Sequence, residues 1–262
     1  MKFCRFSPLS SRQKSSANVK FGLMEGDSIR EISSAPWESW KKGLRSFPLK
    51  DCRLAAPVLP SKIVCVGRNY AAHAAEFGHE MPKEPMIFLK PPSSVIGPGE
   101  SIVLPKYSQR VEHEAELALV IGKTCSHLKD DDDPLSYLLG YTCLNDVTAR
   151  DLQKSDVQFT RAKGFDTFCP VGPHIETELD PRDVLVEAHV NGTRKQSGNT
   201  SLMAFQVPLL VRWISRMMTL VPGDLIATGT PAGVGPLVAG DTVEVSVAGI
   251  GMLRNPVHSS EA

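Results

Sequence analysis

The chain lacks a surplus of charge: 29 Lys and Arg stand against 29 Asp and Glu in 262 residues. Gripping nucleic acid or an anionic membrane surface takes a basic excess, so neither is expected as a partner. Aromatic side chains are few, 10 Phe, 4 Tyr and 3 Trp, and are scattered rather than spaced as a stacking platform. Long apolar runs are missing as well. Leu225–Gly240, as long as any uncharged stretch in the chain, is broken by Gly229, Gly233, Gly235, Pro231 and Pro236. A membrane span needs roughly 20 mostly apolar residues, so this reads as a turn-rich loop.

Cysteine is present without a pattern. The six cysteines never come closer than 13 residues, and no Cys-x-x-Cys pair occurs. No apolar segment follows Met1. A disulfide framework and a thiolate zinc site are therefore not expected, and reduced thiols in a cytoplasmic protein are. The first 24 residues hold five basic residues, five Ser and no acid, the composition of a transit peptide. Met1–Ser7 and Val19–Met24 nevertheless read as two strands joined by a Ser-rich loop, and that is the expectation adopted.

What is present is a foldable core with many turns. At 42% hydrophobic the chain can bury a full interior, while 20 Pro and 20 Gly point to short strands and loops. Residues 1–57 read as a small, polar, strand-poor N-terminal region ending at the stiff connector Ala56-Pro57-Val58-Leu59-Pro60. Residues 58–262 form the main domain. There Ser61–Val66, Leu117–Ile121, Leu138–Leu144, Asp224–Thr228 and Thr242–Val247 read as strands. Val184–Val190 alternates and is followed by Asn191-Gly192, a hairpin signal. Tyr70–Phe77 reads as a short Ala-rich helix. Leu209–Met218 reads as an amphipathic one entered near Pro208, with Leu210, Ile214 and Met217 on its apolar side.

The densest polar cluster is Glu112-His113-Glu114-Ala115-Glu116. Glu114 and Glu116 project from one face of a strand, where burial would set them repelling unless a cation or proton compensates. Asp146 ends another apolar strand thirty residues on. Three carboxylates without a thiol make a hard oxygen site suited to Mg²⁺, Mn²⁺ or Ca²⁺, although a bare Glu-x-Glu is ordinarily a solvated strand start and spacing does not force Asp146 into the same site. His113 does not begin a zinc-protease motif, because Leu117 stands where its second His belongs. His73 and Glu76, three apart on the short helix, are within reach of each other; such a pair either activates a water or sits on an exposed face. Gly229-Thr230-Pro231-Ala232-Gly233 can present backbone N–H groups to a small carboxylate. Lys163, as a lone lysine, is by default solvated.

Taken in order, Val66-Gly67-Arg68-Asn69-Tyr70 with His73 and Glu76, Glu114-Ala115-Glu116, Asn145-Asp146-Val147-Thr148-Ala149-Arg150-Asp151-Leu152-Gln153, Lys163 and Gly229-Thr230-Pro231 resemble the fumarylacetoacetate hydrolase (FAH) family, over about 200 of the 262 residues. The resemblance implies an α+β, mostly β fold, a mixed β-sandwich roll, in a homodimer. It implies a divalent metal, most often Mg²⁺, on Glu114, Glu116 and Asp146. Arg68, Gln153, Lys163 and the loop at Gly229 and Thr230 would meet the carboxylate and oxo groups of a 2-oxo acid, and His73 and Glu76 would be the acid–base pair of a lid. The activity implied is metal-dependent carbon–carbon cleavage, by hydrolysis or decarboxylation, of an acylpyruvate or oxaloacetate through a stabilised enolate. The alternatives are an isomerase or decarboxylase of 2-hydroxyhepta-2,4-diene-1,7-dioate-type compounds and an inactive metabolite-binding member.

Overall fold

The computed structural model describes residues 1–9 and 19–260, so the Ser-rich joining loop falls outside the described residues. A twelve-stranded mixed sheet dominates. From edge to edge its main path runs Lys42–Pro48, Ser28–Ile32, Lys20–Glu25, Lys2–Pro8, Cys169–Glu176, Leu138–Asn145, Ala115–Ile121, Leu225–Ala227, Ile63–Gly67 and Met86–Lys90. A five-stranded sheet containing Leu185–Val190, Thr193–Asn199, Thr242–Val247, Gly251–Ser259 and Ile102–Leu104 packs over part of it. Among the described residues four α-helices complete the frame: α1 (Ala71–Glu76), α2 (Arg150–Ser155), α3 (Thr160–Lys163) and α4 (Val207–Ser215). No helix among the described residues is long and apolar enough to cross a membrane.

The strand Ala115–Ile121 explains the layering, because all seven residues are buried. Ala115, Leu117, Leu119 and Ile121 face a core shared with Val186, Ala188, Val245 and Val247 of the smaller sheet and Leu210, Val211 and Ile214 of α4. Ala118 and Val120 face the opposite core, with Phe3, Val58, Ile63, Cys65 and Leu225. A strand covered on both faces has no polar alternation to show, hence the continuous apolar run.

Two expectations need correction. Lys2–Pro8 and Lys20–Glu25 fall where two strands were expected, but the N-terminal region is not otherwise strand-poor: Ser28–Ile32, Lys42–Pro48 and Cys52–Ala55 are strands too, and Lys2–Pro8 pairs with Cys169–Glu176 of the main domain. Their outer positions are polar and half-exposed, Lys42–Pro48 having no buried residue, so the hydrophobic pattern was diluted. The amphipathic helix begins two residues earlier than expected and ends at Ser215. Met217 and Met218 donate back to the Ile214 carbonyl in a closing turn, and Met217 is exposed rather than on the apolar face.

Candidate active site

One end of the large sheet gathers the polar residues. Ala115 pairs with Asn145 and Glu116 with Leu144, so the start of one strand lies beside the finish of the next. Asn145 Oδ1 accepts the Glu114 N–H at 2.9 Å, and the Asp146 N–H donates to the Glu114 carbonyl at 2.8 Å. On the other flank, Leu225–Ala227 and Ile63–Gly67 run parallel and finish at this same end. They deliver the Gly229 loop and the Arg68–α1 segment respectively. Asn69 binds the two together by donating to the Phe205 and Thr228 carbonyls and accepting the Phe205 N–H. Gly229 needs its glycine: φ is +96°, and a Cβ would lie 2.8 Å from that of Asn69.

The result is a cavity of about 590 Å³ whose lining includes Arg68, His73, Glu76, Glu114, Glu116, Asp146, Gln153, Lys163 and Thr230. Nine of the ten residues singled out from sequence thus share one cavity. Gly229 stands behind the wall and donates its N–H to Glu116 Oε2 at 2.7 Å. Glu114, Glu116 and Asp146 are all buried and bring ligand oxygens within 4.8 Å of one another. Lys163 is buried as well, 3% exposed, against the solvated default for a lone lysine.

Charges alternate through the site. Asp146 accepts from Lys90 Nζ at Oδ1 and from Lys163 Nζ at Oδ2, each at 2.6 Å. Lys163 also reaches Glu114 Oε2 at 2.8 Å, and Arg150 meets Glu114 Oε1 at 2.6 Å. Arg150 Nε continues to Glu112 at 2.7 Å, where Arg110 closes the row. Burial pushes the Glu114 carboxyl up, but Lys163 and Arg150 outweigh it and hold the group well below the usual range. Burial depresses the Lys163 ammonium, and Asp146 with Glu114 more than restores it. Glu116 has no cationic partner among the described residues. Burial, then the charges of Asp146 and Glu114, push it well above the ordinary carboxylate range. A buried carboxylate short of positive charge, beside two others, is a donor set that fits a hard divalent cation.

His73 is buried and its Nδ1 lies 3.3 Å from Glu76 Oε2. Glu76 keeps an exposed edge, but the histidine is not on an exposed helix face. It looks into the cavity, with Phe77 packed edge-on against the imidazole at 5.3 Å. The other walls are apolar and cationic. Phe88 lies under the Lys163 ammonium at 4.9 Å, and Phe77 lies under the Arg150 guanidinium at 4.8 Å. Arg150 also donates to Gln153 Oε1 at 2.6 Å, which fixes that amide.

Sequence reading missed Lys90, Glu112 and Arg150 as parts of this network. Lys90 had a signal: it closes the otherwise apolar run Met86-Ile87-Phe88-Leu89, where a charge in a central sheet demands a partner. Arg150 stood inside a quoted motif, but only pairing with both Glu112 and Glu114 distinguishes it from a solvated helix start.

A buried all-oxygen acidic cluster, a lysine and a His–Glu pair share one cavity, the kind of group an enzyme uses for acid–base chemistry. Comparison with known sequences is specific: the family model described as fumarylacetoacetate (FAA) hydrolase C-terminal matches residues 62–258, and the model described as Rv2993c-like, N-terminal matches residues 1–57. The chain belongs to the fumarylacetoacetate hydrolase family, and it has that family's mixed, mostly β fold. It is 41% identical over 281 residues to 2,4-didehydro-3-deoxy-L-rhamnonate hydrolase of Sphingomonas sp. (strain SKA58), covering 98% of this chain and 96% of that protein. The crystal structure of 2-hydroxyhepta-2,4-diene-1,7-dioate isomerase from Mycobacterium marinum superposes with a TM-score of 0.88 at 46% identity, over 100% of both chains. Maleylpyruvate hydrolase from Sphingobium sp. SYK-6, solved with manganese(II) and pyruvate, gives 0.80 at 30% identity, again over 100% of both.

Proposed function

We propose that this enzyme cleaves a carbon–carbon bond in a short 2-oxo acid, an acylpyruvate or oxaloacetate, with Mg²⁺ or Mn²⁺ held by Glu114, Glu116 and Asp146. The observation that carries the reading is the His73–Glu76 pair opening into the same cavity as the three carboxylates. A bound divalent ion would act as a Lewis acid on the substrate oxygens. The chain's own residues supply the rest. Lys163, Arg68, Gln153 and the Thr230 loop bind and orient the carboxylate and oxo groups. Glu76 holds the imidazole through Nδ1, leaving Nε2 to take the proton from a water. Oxaloacetate needs no such water, because its C4 carboxylate leaves as CO₂ and C3 is then protonated. On an acylpyruvate the water adds to the acyl carbon, the bond to C3 breaks with its electron pair moving toward the 2-oxo oxygen, and C3 then regains a proton. The products are a carboxylic acid and pyruvate, and the proton taken by His73 is available for return to C3.

A second reading, isomerisation of a 2-hydroxy-2,4-diene dioate, is favoured by the 46% identity to the isomerase named above. It uses the same proton-moving pair with no attacking water. Chelator-stripped protein, assayed in the ultraviolet against acetylpyruvate, fumarylpyruvate, oxaloacetate and a 2-hydroxy-2,4-dienedioate with and without Mg²⁺ or Mn²⁺, separates the two. Metal-dependent loss of an acylpyruvate or oxaloacetate with pyruvate appearing supports cleavage. A spectral shift on the diene without pyruvate supports the isomerase, and silence on all four overturns both.

A further inference from the structure

Gln196 lies outside the cavity lining, on the strand Thr193–Asn199 at the edge of the smaller sheet, and is the buried side chain of that otherwise half-exposed strand. The orientation of its amide is forced. The Ala115 N–H can only donate and is 3.0 Å from Oε1, while the Pro231 carbonyl can only accept and is 2.7 Å from Nε2. With the oxygen so assigned, His113 Nδ1, 2.9 Å from the same Oε1, must carry a hydrogen. With the nitrogen so assigned, its second hydrogen goes to Thr230 Oγ1 at 2.7 Å. The Thr230 hydroxyl then directs its own hydrogen to the Ala115 carbonyl at 2.8 Å. All four hydrogen-bonding positions of the Gln196 amide are filled.

Thr230 lines the cavity, but its hydroxyl has no hydrogen left for a ligand. The donor it retains is its backbone N–H, which has no hydrogen-bond partner among the described residues. The strand also touches the loop directly: a Cβ on Gly198 would lie 2.4 Å from Pro231 Cβ, and one on Gly233 would lie 2.2 Å from the Lys195 carbonyl oxygen. The glycine loop therefore rests on the Gln196 strand with no spare room between them.

We infer that Gln196 is a positioning residue for the active site, setting the separation between two walls of the cavity. Through the Ala115 N–H it holds the Glu114–Glu116 ridge, and through Thr230 Oγ1 and the Pro231 carbonyl it holds the loop that offers the Thr230 amide. It touches neither substrate nor metal. The inference rests on the 2-oxo acid reading only in the choice of probe.

Gln196→Met keeps the side-chain length and removes the amide; Gln196→Glu keeps the acceptor and removes both donors. Each is compared with wild type for thermal melting, Mn²⁺ affinity and oxalate affinity at saturating Mn²⁺, with oxalate as an unreactive planar dianion. In metal-free protein, ¹⁵N NMR reads the His113 tautomer. The expected result is Mn²⁺ affinity within about threefold of wild type, oxalate binding weaker by about tenfold, and kcat/KM on any turned-over 2-oxo acid lower by about a hundredfold, the scale of an ångström-sized misplacement. His113 should show hydrogen on Nδ1 in wild type and lose that fixed state in Gln196→Met. Unchanged oxalate affinity in the folded variants, or hydrogen on Nε2 alone in wild-type His113, overturns the inference. Wild type that fails to bind oxalate with Mn²⁺ present counts against the 2-oxo acid reading instead, and the tautomer still decides the role of Gln196.

Discussion

The backbone N–H of Gly233 meets the carboxylate of Glu76, 3.1 Å from Oε1 and 3.3 Å from Oε2, so the loop that follows one sheet strand holds the acid of a helix that follows another. Glu76 is thereby pinned from two sides, by the His73 imidazole and by this amide. A carboxylate restrained in that way fixes the ring orientation of its histidine without further contacts.

This arrangement makes the roles of the pair separable from those of the acidic cluster. His73→Ala is expected to lower the hydrolytic rate by about 10² to 10⁴, the usual worth of a positioned proton-transfer group. Mn²⁺ affinity, read by calorimetry, should stay close to wild type, because His73 bonds none of Glu114, Glu116 and Asp146. Glu76→Gln should fall between wild type and His73→Ala, since the amide still accepts from Gly233 and still meets the imidazole but brings no negative charge. Loss of metal binding in His73→Ala would show that the histidine belongs to the metal site and that its assignment as the base is mistaken.

A second expectation concerns acid sensitivity away from the cavity. His174 is 5% exposed, and neither ring nitrogen has a hydrogen-bond partner among the described residues. Burial is the main reason its pKa is pushed down to about 4, with the nearby Lys2 adding to it. As pH falls from about 6.5 toward about 4, the unfolded chain takes up a proton at this position and the folded one does not, so stability falls with pH across that window. The full effect is no more than about 3 kcal/mol. His174→Leu breaks no hydrogen bond and removes the term, so urea unfolding at pH 7 and pH 5 should show a smaller loss on acidification than in wild type. Equal losses in the two proteins would place the acid sensitivity elsewhere.

How far the sequence carried depended on the kind of signal. The strand Ala115–Ile121, the hairpin at Asn191-Gly192 and the helix bearing His73 were legible because apolar runs, turn dipeptides and Ala-rich segments are local. The residues of the cavity were legible only as an ordered set resembling a family, since nothing in the spacing of Glu116 and Asp146 places them together. Lys90 showed only as a charge closing an apolar run, with no partner indicated, and Gln196 did not show at all. Each acts through partners more than fifty residues away, Asp146 for one and Ala115 for the other, and such pairings exist only after the sheets have assembled. The strands expected near Met1–Ser7 and Val19–Met24 are there, whereas Ser28–Ile32, Lys42–Pro48 and Cys52–Ala55 were missed for a different reason. Their burial comes from joining the large sheet, and their outward faces are polar enough to hide it.

The third expectation concerns that hidden lysine. Lys90 is 1% exposed, lies behind Asp146 rather than on the cavity wall, and donates to both the Asp146 carboxylate and the Val147 carbonyl. Lys90→Met preserves the aliphatic stem but leaves Asp146 to share Lys163 with Glu114, beside a Glu116 that has no cation of its own. Removing one partner of a buried ion pair costs about 3 kcal/mol or more, so the metal-free variant should unfold at clearly lower urea than wild type. A divalent cation restores the missing positive charge, and a ligand at a hundred times its Kd adds about 2.7 kcal/mol to the folded state. Because the variant also removes a charge that repels the ion, the stabilisation by saturating Mg²⁺ or Mn²⁺ should be larger in Lys90→Met than in wild type. Unfolding curves of both proteins with chelator and with metal give the two differences directly. An equal metal increment in both would mean that Lys90 supports Asp146 mechanically and carries none of the charge balance of the site.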